Sequence, residues 1–177
     1  MRKTNIVPWS KEWASIFEKE AMILNKIFQD TAIHIHHIGS TSIKTIGYAK
    51  PIIDILIVVD DISSIDRLNS SMLELGYEVK GENGISGRRF FQKGGDQRTH
   101  HVHVFQQGDK QINFHLDFKR YLLQHPEQAA RYRQKKLELA TKYPDDHHRY
   151  QEGKQELVSE LARLAKQWGE KTRILRD

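Results

Sequence analysis

The chain has 177 residues, no cysteine and a formal net charge of +5. The lack of cysteine excludes disulfides, thiolate catalysis and Cys-based zinc sites. No apolar run reaches the ~18 residues of a membrane-spanning helix, and Met1 to Trp9 lack the apolar stretch of a secretory signal, so a soluble cytoplasmic protein with no membrane partner is expected. This length suits one domain with a sizeable core. Charge is uneven: residues 1–118 hold 14 Lys/Arg against 14 Asp/Glu, residues 119–177 hold 14 against 9. Such an excess ordinarily solvates outer helix faces; the alternative is attraction of phosphates or nucleic acid. For stacking on nucleic acid, only Tyr132, Tyr143 and Tyr150 are interleaved with these basic residues.

In chain order, Ser10 is placed to cap a helix from Lys11 to Phe28, with Trp13, Ile16, Phe17, Ile23, Leu24 and Ile27 as its apolar stripe. Ala32 to Ile38 alternates and reads as a strand. A Gly/Ser turn, Gly39 to Ser42, follows. Pro51 opens a strand from Ile52 to Val59, apolar on both faces as a central buried strand is. Ile62 to Leu75 reads as a helix stopped by Gly76. Tyr77–Lys80, Arg88–Gln92 and His101–Gln106 form an expected antiparallel meander. Gln111–Leu123 alternates weakly like a strand at first and reads helical from Leu116, while 127–141 and 145–168 are expected helices, the last capped by Asp145. The fold class is α+β, a sheet with helices at both chain ends.

Asp54 stands out chemically. Its same-face neighbours in the strand are Ile52 and Leu56, so an ionised carboxylate there needs a cation, a set of donors or water. It is the candidate catalytic and metal-binding residue, the alternative being a structural pair with Lys50 or a histidine. Gly39, Ser40, Thr41 and Ser42 offer backbone N–H groups and hydroxyls to a phosphate, or simply form a turn. His101 and His103, an H-x-H pair on one strand face, are candidate ligands for a transition metal, with Asp54 or His37 as the third. Otherwise they are two histidines on a half-wet sheet face. His34, His36, His100 and the His147–His148 pair read as surface residues. Tyr150 and Lys154 begin a stripe continuing through Val158, Leu161, Ala165 and Trp168 that is expected to face the sheet. Lys154, with Lys136 and Lys50, would either reach solvent or neutralise a bound phosphate.

Several segments together resemble the GrpB family, small bacterial proteins related to the nucleotidyltransferase fold. They are Val7-Pro-Trp9, His37-Ile-Gly-Ser-Thr-Ser42, Ala49-Lys-Pro-Ile-Ile-Asp54, His101-Val-His-Val104, Tyr121-Leu122, His125-Pro-Glu127, Tyr143-Pro-Asp-Asp146 and Tyr150 to Lys154. The resemblance implies a nucleotidyltransferase-like mixed sheet flanked by helices, with C-terminal helices over about 112–172 packed on it. Enzymes of that fold carry a Gly-Ser turn, two acids two residues apart on one strand and a third on a neighbouring strand. Gly39-Ser40 and Asp54 match the first parts. Leu56 occupies the second acid position, and His101 and His103 lie where the third acid would be sought. Two metals ~4 Å apart need bridging carboxylates, which one Asp does not supply.

The implied function is binding of a nucleotide or phosphorylated metabolite, with nucleotidyl or phosphoryl transfer through Mg²⁺ or a histidine-bound metal. In this reading Gly39, Ser40, Thr41, Ser42, Lys50, Lys136, Tyr150 and Lys154 hold phosphate, Asp54, His101 and His103 hold metal, and His37 lines the cleft. The alternative is a non-catalytic accessory module that kept the fold and lost its acids, in keeping with family members joined to a coenzyme A biosynthesis kinase. A histidine-bound metal hydrolase is a third possibility.

Overall fold

The computed structural model describes residues 5–174. A two-residue ribbon pairs β1 (Val7–Pro8) with β3 (Tyr48–Ala49), and a five-stranded sheet has the order β2 (Ala32–Ile38), β4 (Ile53–Val59), β7 (His100–Gln106), β6 (Arg89–Lys93), β5 (Tyr77–Val79). β4 runs antiparallel to β2 and parallel to β7, while β5, β6 and β7 form the expected antiparallel meander. Every residue of β4 except Asp54 is buried. This fits its central place and its near-continuous Ile/Leu/Val sequence.

The two faces of the sheet are covered differently. Ile53, Ile55, Ile57 and Val59 of β4 and Val102 and Val104 of β7 pack with Trp13, Leu24 and Phe28 of α1 (Glu12–Phe28) and with Ile65 and Met72. On the other face Leu56, Val58, Ile38 and Phe105 pack with Ile112 and Leu116 of α3 (Lys110–Gln124). α4 (Pro126–Lys142) and α5 (His147–Ile174) join α3 around Tyr121, Leu122, Ala129, Tyr132, Leu161 and Ala165, with Ile43 and Ile46 from the segment after the Gly/Ser turn. The apolar stripe of α5 therefore meets α3 and α4 rather than the sheet, because α3 already fills that face.

Other departures from expectation are local. The helix expected over Ile62–Leu75 is a 3-10 segment, Ile62–Leu68, leading into a short α2 (Asn69–Glu74). Asp61 accepts the Ser63 N–H, and the Ser64 hydroxyl donates to the Asp61 carbonyl. The first bond is an N-cap; the second, from a side chain back to a backbone carbonyl, competes with regular helix. The cap of α5 is Asp146, whose carboxylate accepts the Arg149 N–H at 3.1 Å, not Asp145. The β1–β3 ribbon was not anticipated; Trp9 just after it donates through Nε1 to the Thr41 carbonyl at 2.9 Å, tying the N-terminal segment to the Gly/Ser turn. His100, expected at the surface, is half-buried, with an Nε2 that has no partner among the described residues.

His37 also departs from expectation. It lies on the α1 face of the sheet, its ring stacked on Phe17 at 4.8 Å and 9°, and its Nε2 is 2.9 Å from Thr41 Oγ1. It supports the turn from behind instead of lining a cleft. Burial first, then the Lys119 ammonium, push its pKa down to about 4, with Asp54 opposing. The unfolded chain, titrating at about 6.5, thus binds a proton that the folded chain refuses. Stability should be fully expressed above that value and fall as pH drops toward 4. A His37→Asn variant should show a shallower loss over this interval in urea melts taken at successive pH values.

Candidate metal and phosphate site

The site forms where the first residues of the turn meet the first residues of β4 and β7. Asp54 lies in register with Ile38 on one side and His101 on the other, so all three share the α3 face. His101 Nδ1 is 2.9 Å from Asp54 Oδ1 and His103 Nε2 is 3.9 Å from it. The Asp54 side chain remains 25 % exposed, His101 23 % and His103 13 %. Burial pushes the Asp54 carboxyl up, but hydrogen bonding and charge from His101 and His103 outweigh it and hold the group well below the usual carboxylate range. Asp54 is therefore ionised, with histidine as its partner.

Gly39 makes the close approach possible. Its φ is +69°, and a β-carbon there would collide with the Asp54 carboxylate. The 3-10 turn Ser40–Ser42 that follows uses two of its three hydroxyls internally. Thr41 Oγ1 donates to the Ile52 carbonyl at 3.1 Å and Ser42 Oγ to the Gly39 carbonyl at 2.8 Å. Ser40, half-buried, lines the hollows beside Asp54.

Two hollows meet at Asp54. The larger, about 580 Å³, is walled by Gly39, Ser40 and Asp54 on one side and by Phe114, Phe118 and Val158 on the other. The smaller, about 210 Å³, is walled by Lys50, Lys136, Lys154, Tyr150 and His101. Ser40, Asp54, Gln151 and Lys154 border both. Lys50 and Lys154 lie over the Tyr150 ring at 4.2 and 5.4 Å from its centroid. Lys136 donates to the Tyr48 carbonyl at 2.9 Å and sits 5.1 Å from the Tyr132 ring. Tyr150 is fully buried, and burial followed by Tyr132 raises its pKa.

The structure thus brings Gly39, Ser40, Asp54, His101, Lys50, Lys136, Tyr150 and Lys154 to one place, with His103 behind Asp54. Several contributors carried no mark in the sequence. His147 bonds through Nδ1 to Lys50 Nζ at 2.9 Å instead of facing water. Arg88, buried and with no carboxylate partner among the described residues, donates to His103 Nδ1 at 3.4 Å and to the Glu82 and Asn83 carbonyls. His115 of α3 covers His103, ring centroids 5.2 Å apart, and lines the larger hollow beside Phe114. Burial, then His103, push the His115 pKa down to about 3. A helical phase across 111–123 would have set Phe114, His115 and Phe118 on one side of α3, which is the one signal that could have found them.

Asp54, His101 and His103 each offer one donor atom, and the three atoms lie within 4.8 Å of one another. Donors sharing a metal at ~2.1 Å are separated by roughly 3–4 Å, so the set fits one ion with little movement. Two imidazoles and one carboxylate suit a first-row transition metal better than Mg²⁺, which prefers oxygen. The Arg88 donor on His103 Nδ1 favours the tautomer with hydrogen on Nε2. Ligation through Nε2 therefore requires that proton to leave or move and the Arg88 contact to loosen. No helix among the described residues is long and apolar enough to cross a membrane.

Similarity to known proteins follows the same outline. The Bacillus subtilis protein YqkA is 46 % identical over 167 residues, covering 94 % of this chain and 48 % of YqkA, so the chain spans about half of that relative's length. The glutamate-rich protein GrpB of Alkalihalophilus pseudofirmus is 35 % identical over 88 % of this chain and 92 % of its own. The crystal structure of GrpB from Enterococcus faecalis superposes with a TM-score of 0.88 at 38 % identity, covering 93 % of this chain and 99 % of that one. The poly(U) polymerase Cid1, in its MgGTP-bound crystal structure, matches with a TM-score of 0.50 at 12 % identity, over 77 % of this chain and 43 % of Cid1. That likeness shows a nucleotidyltransferase-like fold. The GrpB protein family model matches residues 3–163, which take in the turn, the β4 carboxylate, the H-x-H strand and the lysine-bearing helices, and the chain belongs to the GrpB family.

Proposed function

We propose that this protein binds a nucleotide or another phosphorylated small molecule across the paired hollows and, with a divalent metal at Asp54, His101 and His103, transfers a nucleotidyl or phosphoryl group. One observation carries the reading: the Asp54 carboxylate on the central strand opens onto the same hollows as the Gly39–Ser40 turn and three lysines. The bound metal would supply charge neutralisation at a phosphate oxygen. Ser40 and the backbone of the turn would hold the phosphoryl group, and Lys50, Lys136 and Lys154 would offset its charge. Phe114, Phe118 and Val158 offer an apolar wall for the rest of the ligand.

Asp54→Asn keeps the side-chain shape and removes the anionic ligand. Calorimetric titration with Mn²⁺, and with ATP in the presence of Mn²⁺, should show binding to the parent protein and at least a tenfold loss in the variant, with an unchanged circular dichroism spectrum. Equal binding by both proteins would defeat the reading.

A second reading, a binding or accessory module without turnover, is favoured by Leu56. This residue holds the second acid position of the fold's enzymes and is fully buried against Ile38, Val58 and Phe105. Placing a charge there puts it among Ile38, Val58 and Phe105, with only His36 and His103 as in-register polar neighbours on that face. Leu56→Asp should therefore cost about 3–5 kcal/mol in urea unfolding and should not add a second metal in titrations. Nucleotide binding with no product across an acceptor panel would favour this reading over transfer.

A further inference from the structure

The smaller hollow gathers three lysines and the Asp54 carboxylate in one wall. Lys136, on α4, is 2 % exposed. Facing it are Lys50 from the segment before β4, Asp54 from β4, His101 from β7, Tyr150 and Lys154 from α5, and Tyr132 from its own helix, with His147 of α5 reached through Lys50. Among the described residues neither Lys136 nor Lys154 touches a carboxylate; their contacts are the Tyr48 carbonyl and the two tyrosine rings. The one carboxylate in the wall, Asp54, is already engaged by His101 and His103. A buried ammonium among like charges is unstable unless an anion joins it.

We propose that this hollow is a phosphoryl subsite that fills together with the uptake of a proton by Lys136. The inference rests on the phosphate reading above and adds the state in which the site waits. Empty and above neutral pH, the hollow holds Lys136 chiefly as a neutral amine, donating one N–H to the Tyr48 carbonyl. A dianionic group entering beside Lys50 and Lys154 supplies the missing negative charge, and the amine takes a proton from solvent to become a third cation on the ligand. Burial first, then Lys154 and Lys50, push the Lys136 pKa down to about 7, with Asp54 opposing, so the switch falls in an accessible pH range. Above that value affinity should decline with rising pH, because each binding event must also draw a proton from an increasingly dilute supply.

Sulfate is the probe, since it carries no proton that titrates near neutrality. Calorimetric titration with sodium sulfate at pH 8, repeated in buffers of different ionisation enthalpy, should reveal uptake of roughly one proton per sulfate bound. Lys136→Arg, charged throughout, should bind sulfate with no uptake. Lys136→Met should bind at least tenfold more weakly while melting no lower than the parent, since it removes a buried amine without opening a cavity. Sulfate binding to the parent without proton uptake, or uptake that persists in Lys136→Met, overturns the coupling and leaves the phosphate reading intact. No sulfate binding while Mn²⁺–ATP still binds overturns this subsite alone. Loss of both removes the phosphate reading as well.

Discussion

The architecture turns on a carboxylate placed where the sequence is otherwise hydrocarbon. Asp54 interrupts a β4 strand whose other residues are all buried and apolar, and an unpartnered charge there would cost several kcal/mol. The partner is His101 on β7, brought alongside only because β7 lies parallel to β4 in register. Parallel neighbours need a long crossover, and here the chain spends the 3-10 segment, α2 and two meander strands before returning. The meander is thus more than a covering for one edge: it delivers His101 and His103 to the one charged point of the central strand. Gly39 completes the arrangement from the other side by leaving the carboxylate room.

The division between the two sheet faces explains why the site is partly open. On the α1 face the packing is continuous, and even His37 is absorbed into it by stacking on Phe17. On the α3 face the apolar patch around Leu56, Val58 and Phe105 ends at Asp54, where α4 and α5 turn away to pack on α3. The hollows are the space left between a sheet end and a helical layer whose own core lies elsewhere. Lysines pointing from that layer meet the turn and the carboxylate across the gap. The C-terminal charge excess is therefore partly invested in the hollow as well as spread over solvated faces.

What was legible in the sequence had a local pattern. The β4 strand, the alternating β2, the H-x-H pair and the Gly39 turn are each defined within a few residues, and they came out within a residue of their observed bounds. The missing features depend on distant partners. Two-residue strands such as Val7–Pro8 have no period to detect. The 3-10 segment was lost to a helical apolar spacing that its Ser64 side chain overrides. His37 shares parity with Ile35, which packs on the α1 side, so its face was readable from alternation, but its sequence neighbour Gly39 drew it into the site. Arg88 and His147 act through residues 15 and 97 positions away, with no spacing rule to find them.

Leu56 decides what kind of chemistry the hollow can support. It is held in the α3-side core by Ile38, Val58 and Phe105 and carries no carboxylate, so a pair of closely spaced metals would have Asp54 alone to bridge it. Histidines beside Asp54 shift preference toward a single, softer ion. A metal at Asp54 would also leave the hollow with still more positive charge, since the three lysines remain. Metal and phosphate would then support each other: an anionic ligand is what allows a divalent ion and several ammonium groups to share one carboxylate. Charge that a single metal does not supply would come from the lysines, with Lys136 contributing it only once the proposed ligand has arrived.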